Sequence, residues 1–503
     1  MHQLTGLDTV FLSIETATTY GHVGSVAVLE PPPGRPLTLD RVTAGVESRL
    51  HLIPPFRRRL AQVPLGLDNP YWIDDPDFDI EFHVRELALP APGDDRQLAS
   101  QLVRLHARPL DRQRPLWELY LIHGLAGGRQ AVYTKVHHAA IDGVSGNDIL
   151  TALLDLAPDG REGERESPQW APETAPGTAA MLARSLGALA GNPWRAVRMS
   201  AGLARSVPRL VTLPARPRLP LIDRLLRRDD GSVLSQSALR APATPFNRSI
   251  SAHRNFAMAR IPLDQIKPLR VAFGLTVNDV VMALCAGALR RWLLEHDALP
   301  DAALLAGVPI SVRTTEQSGT LGNRVSTMIA PIPTHLSDPA ERLRAAHDAM
   351  RAAKDQHQAL PANLLADVNE FAMPALAGRA ARAAARLRLI ERVRPFNLMI
   401  SNVPGPNRPL YLAGAQLVGI YPLSAITDGQ GLNITVLGYL GALHFGFISC
   451  RELVPDLDRM AEQLDAEMSA LRALAEQKPA ATVTPAGTAK SRRSATGRGA
   501  AAG

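Results

Sequence analysis

The chain has few cysteines, few aromatics and no long apolar run, and each scarcity closes off a class of protein. Its two cysteines, Cys285 and Cys450, lie far apart, so neither a disulfide framework nor a cysteine-rich metal site can be built from them, and a reducing cytoplasm fits. No window approaches the roughly 18 uninterrupted apolar residues that a membrane span requires, and the longest candidate, VVMALCAGAL, is too short. The opening MHQLTGLDTVFLSIE has no basic segment ahead of an apolar one, so no secretory signal is expected. Aromatic residues make up 5%, too few to stack nucleic-acid bases, and no recognised nucleic-acid-binding motif occurs. Also missing are a G-x-S-x-G elbow, a G-x-x-x-x-G-K-[ST] loop and a dinucleotide fingerprint, so serine hydrolase, ATP and NAD chemistry lack support.

What is present is a globular chain. Apolar residues make up 46% of the 503, ample for a buried core and long enough for two domains or two half-domains. The formal charge of +7 is concentrated at one end. Residues 478–503 hold Lys478, Lys490, Arg492, Arg493 and Arg498 with no acid, so the body is near neutral and the tail is expected to be disordered.

Strand and helix signals mix in both halves without a regular alternation, which indicates an α+β or mixed α/β chain. HVGSVAVLE, from His22, reads as a strand closed by prolines, and helical spacing follows in LTLDRVTAGVESRLHLIP and, from Ala99, in ASQLVRLHARPL. LWELYLIHGL and RQAVYTKVHH alternate around Ala126-Gly127-Gly128, the pattern of an antiparallel hairpin. Ser145 and Asp148 ahead of an apolar run predict a helix start. The chain divides into an N-terminal lobe over 1–157, an Arg/Pro-rich linker with surface helices over 158–245, a C-terminal lobe over 246–477 and the tail. Within the linker, residues 184–228 hold ten arginines and one acid, Asp223. That composition suits a basic amphipathic surface on anionic lipid and a solvated interdomain helix equally. Later, TVNDVVMALCAGALRRWLLEH reads as a helix capped by Asn278 or Thr276, and FNLMISNVPGP as a strand ending in a type II turn with Gly405 at positive φ.

KVHHAAIDGVSG, residues 135–146, carries the chemistry. Adjacent strand residues point to opposite faces, so His137 and His138 cannot grip one metal ion, and no third ligand lies at zinc spacing. A neutral imidazole can take a proton from an alcohol near pH 7, and Asp142 and Gly143 are placed to fix the turn beside it. On the residues alone, a structural pair at a strand end and a catalytic base both stand, and the structural reading is the commoner.

H-H-x-x-x-D-G, complete here as His137, His138, Asp142 and Gly143, resembles the signature of CoA-dependent acyltransferases and condensation domains. Further blocks narrow the resemblance to the bacterial wax ester synthase/acyl-CoA:diacylglycerol acyltransferase family: LDTVFLSIET with Asp8, Phe11 and Glu15; Arg114-Pro115-Leu116-Trp117-Glu118; Asn278-Asp279; VPISVR; GNRVS; and SNVPGP. The blocks run in order across roughly residues 1–475. The resemblance implies a two-lobed chloramphenicol acetyltransferase-like fold with a tunnel between lobes. His138 would be the general base, His137 its support, Asp142 a structural or orienting residue with Arg313 as a candidate partner, and Gly143 the turn. Asn278 would either cap its helix, the reading favoured on residue grounds, or support the oxyanion. Trp117 and Pro115 read as packing residues. The implied substrates are acyl-CoA and diacylglycerol or a long-chain alcohol. No cofactor or metal is implied, and the enzyme would sit peripherally on the inner face of the cell membrane or on lipid droplets. Acyl transfer to a polyketide or glycolipid hydroxyl, and a non-catalytic droplet-binding protein, are the alternatives.

Overall fold

The structure is a computed structural model that describes residues 1–64, 68–141, 149, 152–159, 172, 177–190, 241–311, 325–358 and 394–477. The expected helix start at Ser145–Asp148, the arginines beyond residue 190 and the tail lie outside these residues.

Two six-stranded mixed sheets organise the chain. The first uses β1 (His22–Glu30), β2 (Val84–Ala88), β3 (Trp117–His123) and β4 (Gln130–His137) from the N-terminal half. The second uses β5 (Arg254–Pro262), β6 (Leu304–Ser311), β7 (Val325–Ile332) and β8 (Leu398–Val403). Next in sequence, β9 (Tyr411–Leu412) and β10 (Ala415–Leu423) leave the second sheet for the first; then β11 (Leu432–Tyr439) and β12 (Ala442–Cys450) return. The strand orders are β9-β10-β1-β4-β3-β2 and β7-β6-β8-β11-β12-β5. The first sheet is therefore completed by residues from the far half of the chain, with β10 antiparallel to β1 from Gln416 opposite Glu30 to Leu423 opposite Gly24.

The hairpin β3–β4 forms as its glycines predict, with Gly127 and Gly128 at φ 75° and 73°. Helix α1 (Gly6–Ser13) is closed by a Thr5–Asp8 capping box. Helix α2 (Asp95–His106) begins four residues before the apolar spacing does, because Asp94 and Gln97 form a capping box of their own. Gly405 departs from expectation. It has no positive φ; a Cβ there would lie 2.1 Å from the Gly438 carbonyl oxygen, so glycine is needed where the segment after β8 passes close to the backbone of β11.

Helices α3 (Val277–Glu295), α4 (Pro339–Gln358) and α5 (Leu457–Gln477) cover one face of the second sheet, and Leu284, Trp292, Ile434, Phe445 and Leu464 share that core. A separate apolar cluster fills the seam, where Val26, Tyr120 and Tyr133 of the first sheet meet Phe256, Ile448 and Cys450 of the second. Backbones touch there too: a Cβ on Gly446 of β12 would lie 1.8 Å from the Pro422 carbonyl oxygen of β10. Among the described residues no single helix is long and apolar enough to cross a membrane. The bent pair Leu263–Phe273 and Val277–Glu295 has the length and composition, but α3 is buried in the core.

Candidate active site

The histidine pair stands where β4 runs out. His137 is its last residue and lies opposite His22 of β1; His138 opens a short 3-10 turn, His138–Ile141. The segment between α1 and β1 wraps both. The His138 amide donates to the Gly21 carbonyl oxygen at 2.8 Å, and the His138 ring stacks on Phe11 with centroids 4.1 Å apart. His137 is buried, and its Nδ1 accepts the Ala139 N–H at 3.1 Å, which leaves Nε2–H to donate to Glu15 Oε1 at 3.2 Å. Gly21 has to be glycine here, since a Cβ would lie 2.5 Å from His137 Nε2.

Glu15 is the hub that residue-level reading left without a role. Its Oε1 also accepts the Gly21 N–H at 2.7 Å, and Arg112 donates to Oε2 at 2.5 Å and to the Leu12 carbonyl. Burial alone would raise its pKa, but hydrogen bonds from His137, Arg112 and the Gly21 amide hold it at about 2, so it is a carboxylate throughout the physiological range. The available signal was its place in LDTVFLSIET, but its partner is 122 residues away.

Burial lowers the His138 pKa to about 4, and neighbouring His137 adds to this. A hydrogen bond to its own carbonyl oxygen works the other way. Nδ1 is the ring nitrogen within reach of that oxygen, so the neutral ring is an Nδ1–H tautomer with the lone pair on Nε2.

Behind the pair, the seam side of the first sheet is unusually polar. Lys135 and Glu118 face each other across β4 and β3 at 2.8 Å, and Lys135 Nζ also donates to the Leu105 and Arg108 carbonyls at the C-terminal end of α2. A cation is favoured at that end of the helix dipole. His22 contacts the His106 carbonyl at 2.6 Å, and His106 Nδ1 meets the Tyr133 hydroxyl at 2.7 Å. Burial first, then the nearby cations, depress His106 to about 3. Trp117 is a packing residue as read: fully buried, stacked between Phe56 and His83, with its indole N–H on the Phe56 carbonyl at 2.8 Å.

Asn278 is not the cap of its helix. Thr276 takes that place, with Asp279 three residues on completing the box at 2.8 and 3.2 Å, and Asp279 also meets His347 at 3.0 Å. Asn278 is thereby freed to turn toward Asn402 of β8, whose side-chain amide donates to its Oδ1 at 3.3 Å. Asp142, Gly143 and Arg313 lie outside the described residues.

A crossover strand, two mixed sheets packed across a seam, and a histidine pair at a strand exit beside it define the chloramphenicol acetyltransferase-like class. A trichothecene 15-O-acetyltransferase from Fusarium sporotrichioides shares this fold at 13% identity, with a TM-score of 0.58 over 93% of this chain and 94% of that one. The particular family follows from closer matches. Residues 4–281 match the wax ester synthase/diacylglycerol acyltransferase catalytic domain, and residues 321–472 match the WS/DGAT C-terminal domain. A Mycobacterium tuberculosis protein provisionally named a diacylglycerol O-acyltransferase is 38% identical over 485 residues, 95% of this chain and 92% of its own. The solved wax ester synthase/diacylglycerol acyltransferase of Marinobacter aquaeolei is 30% identical, with a TM-score of 0.67 over 95% of this chain and all of that one. The chain belongs to the wax ester synthase/diacylglycerol acyltransferase family, and it is an acyl-CoA-dependent acyltransferase.

Proposed function

We propose that the enzyme transfers a fatty acyl group from acyl-CoA to the free hydroxyl of diacylglycerol, with His138 as general base. The observation that carries this reading is the posture of His138: half-buried, pinned at its amide by Gly21, stacked on Phe11 and held as a neutral ring. Its Nε2 takes the hydroxyl proton as the alcohol oxygen attacks the thioester carbonyl carbon. The tetrahedral intermediate collapses with cleavage of the C–S bond, and the proton passes from the imidazolium to the departing CoA thiolate. The products are triacylglycerol and CoA. The carbonyl that holds Nδ1–H strengthens its grip as the ring becomes cationic, which favours the transition state over the ground state. No acyl-enzyme is required, since the thioester is already activated. General base catalysis supplies about 10²–10⁴-fold, and positioning must supply much of the rest.

Asn278, released from capping, supports the developing oxyanion through its side-chain amide. Asp142 keeps its orienting role for the turn after the histidines, and His137 with Glu15 supports the strand end. The lobe, linker and tail boundaries at 157, 245 and 477 stand as part of the same reading. The acceptor is a lipid, so the enzyme works at the membrane or droplet surface, docked through the arginines of 184–228. Replacing them with glutamine should abolish liposome flotation, and undiminished flotation would sink the docking idea.

The test of the base is CoA release from palmitoyl-CoA with dioleoylglycerol or hexadecanol, wild type against His138→Ala. Acceptor-dependent release should fall by about 10²–10⁴-fold in the variant. Release that survives the substitution refutes the role given to His138, and the preferred acceptor ranks triacylglycerol against wax ester synthesis.

A further inference from the structure

The loop between α1 and β1 is gripped from the opposite lobe by one side chain. Arg254, the first residue of β5, is 2% exposed. Its Nη1 donates to the Ser251 and His253 carbonyls at 2.5 and 3.2 Å, within its own lobe. Its Nη2 crosses the seam and donates to the Thr18 carbonyl. The guanidinium also lies over the Tyr20 ring, 5.1 Å from the centroid, and Tyr20 stacks on His22 at 5.3 Å. Arginine suits the task because its planar fork satisfies two lobes at once; a lysine ammonium is a point charge on a flexible, shorter stem.

The gripped loop is also the one that holds the histidines. Thr16 Oγ1 accepts the amides of Thr18 and Thr19 at 3.2 and 3.0 Å, and the Thr16 amide donates to the Thr19 carbonyl at 3.0 Å, so the loop moves as a unit. One end carries Glu15 and the other Gly21, and these bind His137 Nε2 and the His138 amide. A displacement of Thr18 therefore travels through at most three residues on either side to the imidazoles. On its own lobe Arg254 is framed rigidly: Ser251 donates to Glu452 at 2.5 Å, His253 Nδ1 meets Glu452 at 2.6 Å, and Cys450 Sγ donates to the same carboxylate at 3.2 Å.

We infer that Arg254 is a positioning residue that sets the placement of His138 from the C-terminal lobe, by fixing the 16–21 loop through the Thr18 carbonyl and the Tyr20 ring. The inference rests on the general-base reading of His138. It goes beyond it, because it makes the register of the two lobes part of the catalytic geometry. Arg254 touches no reacting atom. Its loss leaves substrate contacts in place and loosens the base, so it should act on kcat and not on the KM for acyl-CoA.

The experiment compares Arg254→Lys, Arg254→Met and Tyr20→Leu in the full chain, with kcat and KM for palmitoyl-CoA measured per folded molecule below each variant's melting temperature. His138→Ala, Glu15→Gln and the Arg254→Lys/Glu15→Gln double variant accompany them. Arg254→Lys keeps charge and most of the volume, so it reports even where Arg254→Met fails to fold, and Tyr20→Leu disturbs the same grip with Arg254 in place. The expected result is a fall in kcat of about 10- to 100-fold in Arg254→Lys, by the cost of misplacing a catalytic group by about 1 Å, with KM within twofold. The double variant should fall less than the product of the two single effects, because both substitutions loosen one loop. A lowered melting temperature with kcat unchanged, or strictly multiplicative effects, overturns the inference while His138→Ala remains inactive. Activity surviving in His138→Ala overturns the base reading and the inference together.

Discussion

Replacing Gly21 with alanine disturbs the histidine pair without altering the chemistry of either ring. The added Cβ would lie 2.5 Å from His137 Nε2, 3.0 Å from its Cε1 and 3.1 Å from the Phe11 carbonyl oxygen. Ordinary contact begins near 3.4 Å, so the ring must retreat by about 0.9 Å, since the backbone oxygen of a capped helix yields less readily. That retreat strains the 3.2 Å bond to Glu15 and the 3.1 Å bond from the Ala139 amide, the first backbone group after His138. Overpacking of this kind costs about 1–3 kcal/mol of stability. A shift of about 1 Å near a catalytic group can cost about 100-fold in rate. We therefore expect kcat for acceptor-dependent CoA release to fall about 10- to 100-fold, while the protein stays folded at assay temperature. The companion variant is Gly21→Ala in a His137→Ala background. With the ring gone only the milder 3.1 Å approach to the Phe11 carbonyl oxygen remains, so the double variant should be within about twofold of His137→Ala alone. A Gly21→Ala enzyme within twofold of wild-type kcat would refute the reasoning, as would a double variant slower by the product of the two single effects.

Other consequences can be checked more briefly. Five histidines are held neutral, chiefly by burial: His22 well below its ordinary value, His83, His138 and His444 at about 4, and His106 at about 3. Below the ordinary value of 6.5 the unfolded chain binds protons that the folded one does not. Stability should therefore fall as pH drops from 6.5 toward 4, before Glu15, held at about 2, adds its own loss at lower pH. A urea midpoint that stays constant between pH 7 and 4.5 contradicts this. Lys135→Met leaves Glu118 buried and unpaired, and should cost about 3–5 kcal/mol in chemical denaturation; restoring stability with Glu118→Met in the same chain would identify the unpaired charge as the cause. Asn278→Ala should lower kcat by about 10²-fold with little change in melting temperature, because Thr276 keeps the cap; an unchanged kcat removes Asn278 from the site.

Local signals carried most of what the residues revealed. The β3–β4 hairpin could be read from alternation and its glycines, and α3 from its apolar period, because both are decided within a few residues. The start of α2 was missed where a D-x-x-Q capping box precedes the apolar spacing, so periodicity alone placed it late. Gly405 was read for conformational freedom when its role is contact, and a contact with Gly438 is invisible without the sheet. The paired histidines and their motif were legible; what holds them was not. Glu15, Arg112 and Arg254 come from three separate stretches, brought to one loop only by tertiary packing, which for Arg254 is packing between the two lobes. Strand β10 was likewise unassigned, because its partner β1 lies almost 400 residues upstream.

That strand also imposes an order on synthesis. The first sheet has its four N-terminal strands once residue 137 has been made, but β1 keeps an open edge until residue 423 emerges to cover it. At about 5–20 residues per second, that gap lasts roughly 15–60 s, far longer than hairpins take to form. Through that interval the nascent chain exposes a strand edge flanked by Val26, Val28 and Leu29, the kind of surface on which chains pair with one another. A chaperone that shields this edge on the ribosome should raise the yield of folded enzyme more than any stabilising substitution in the finished core.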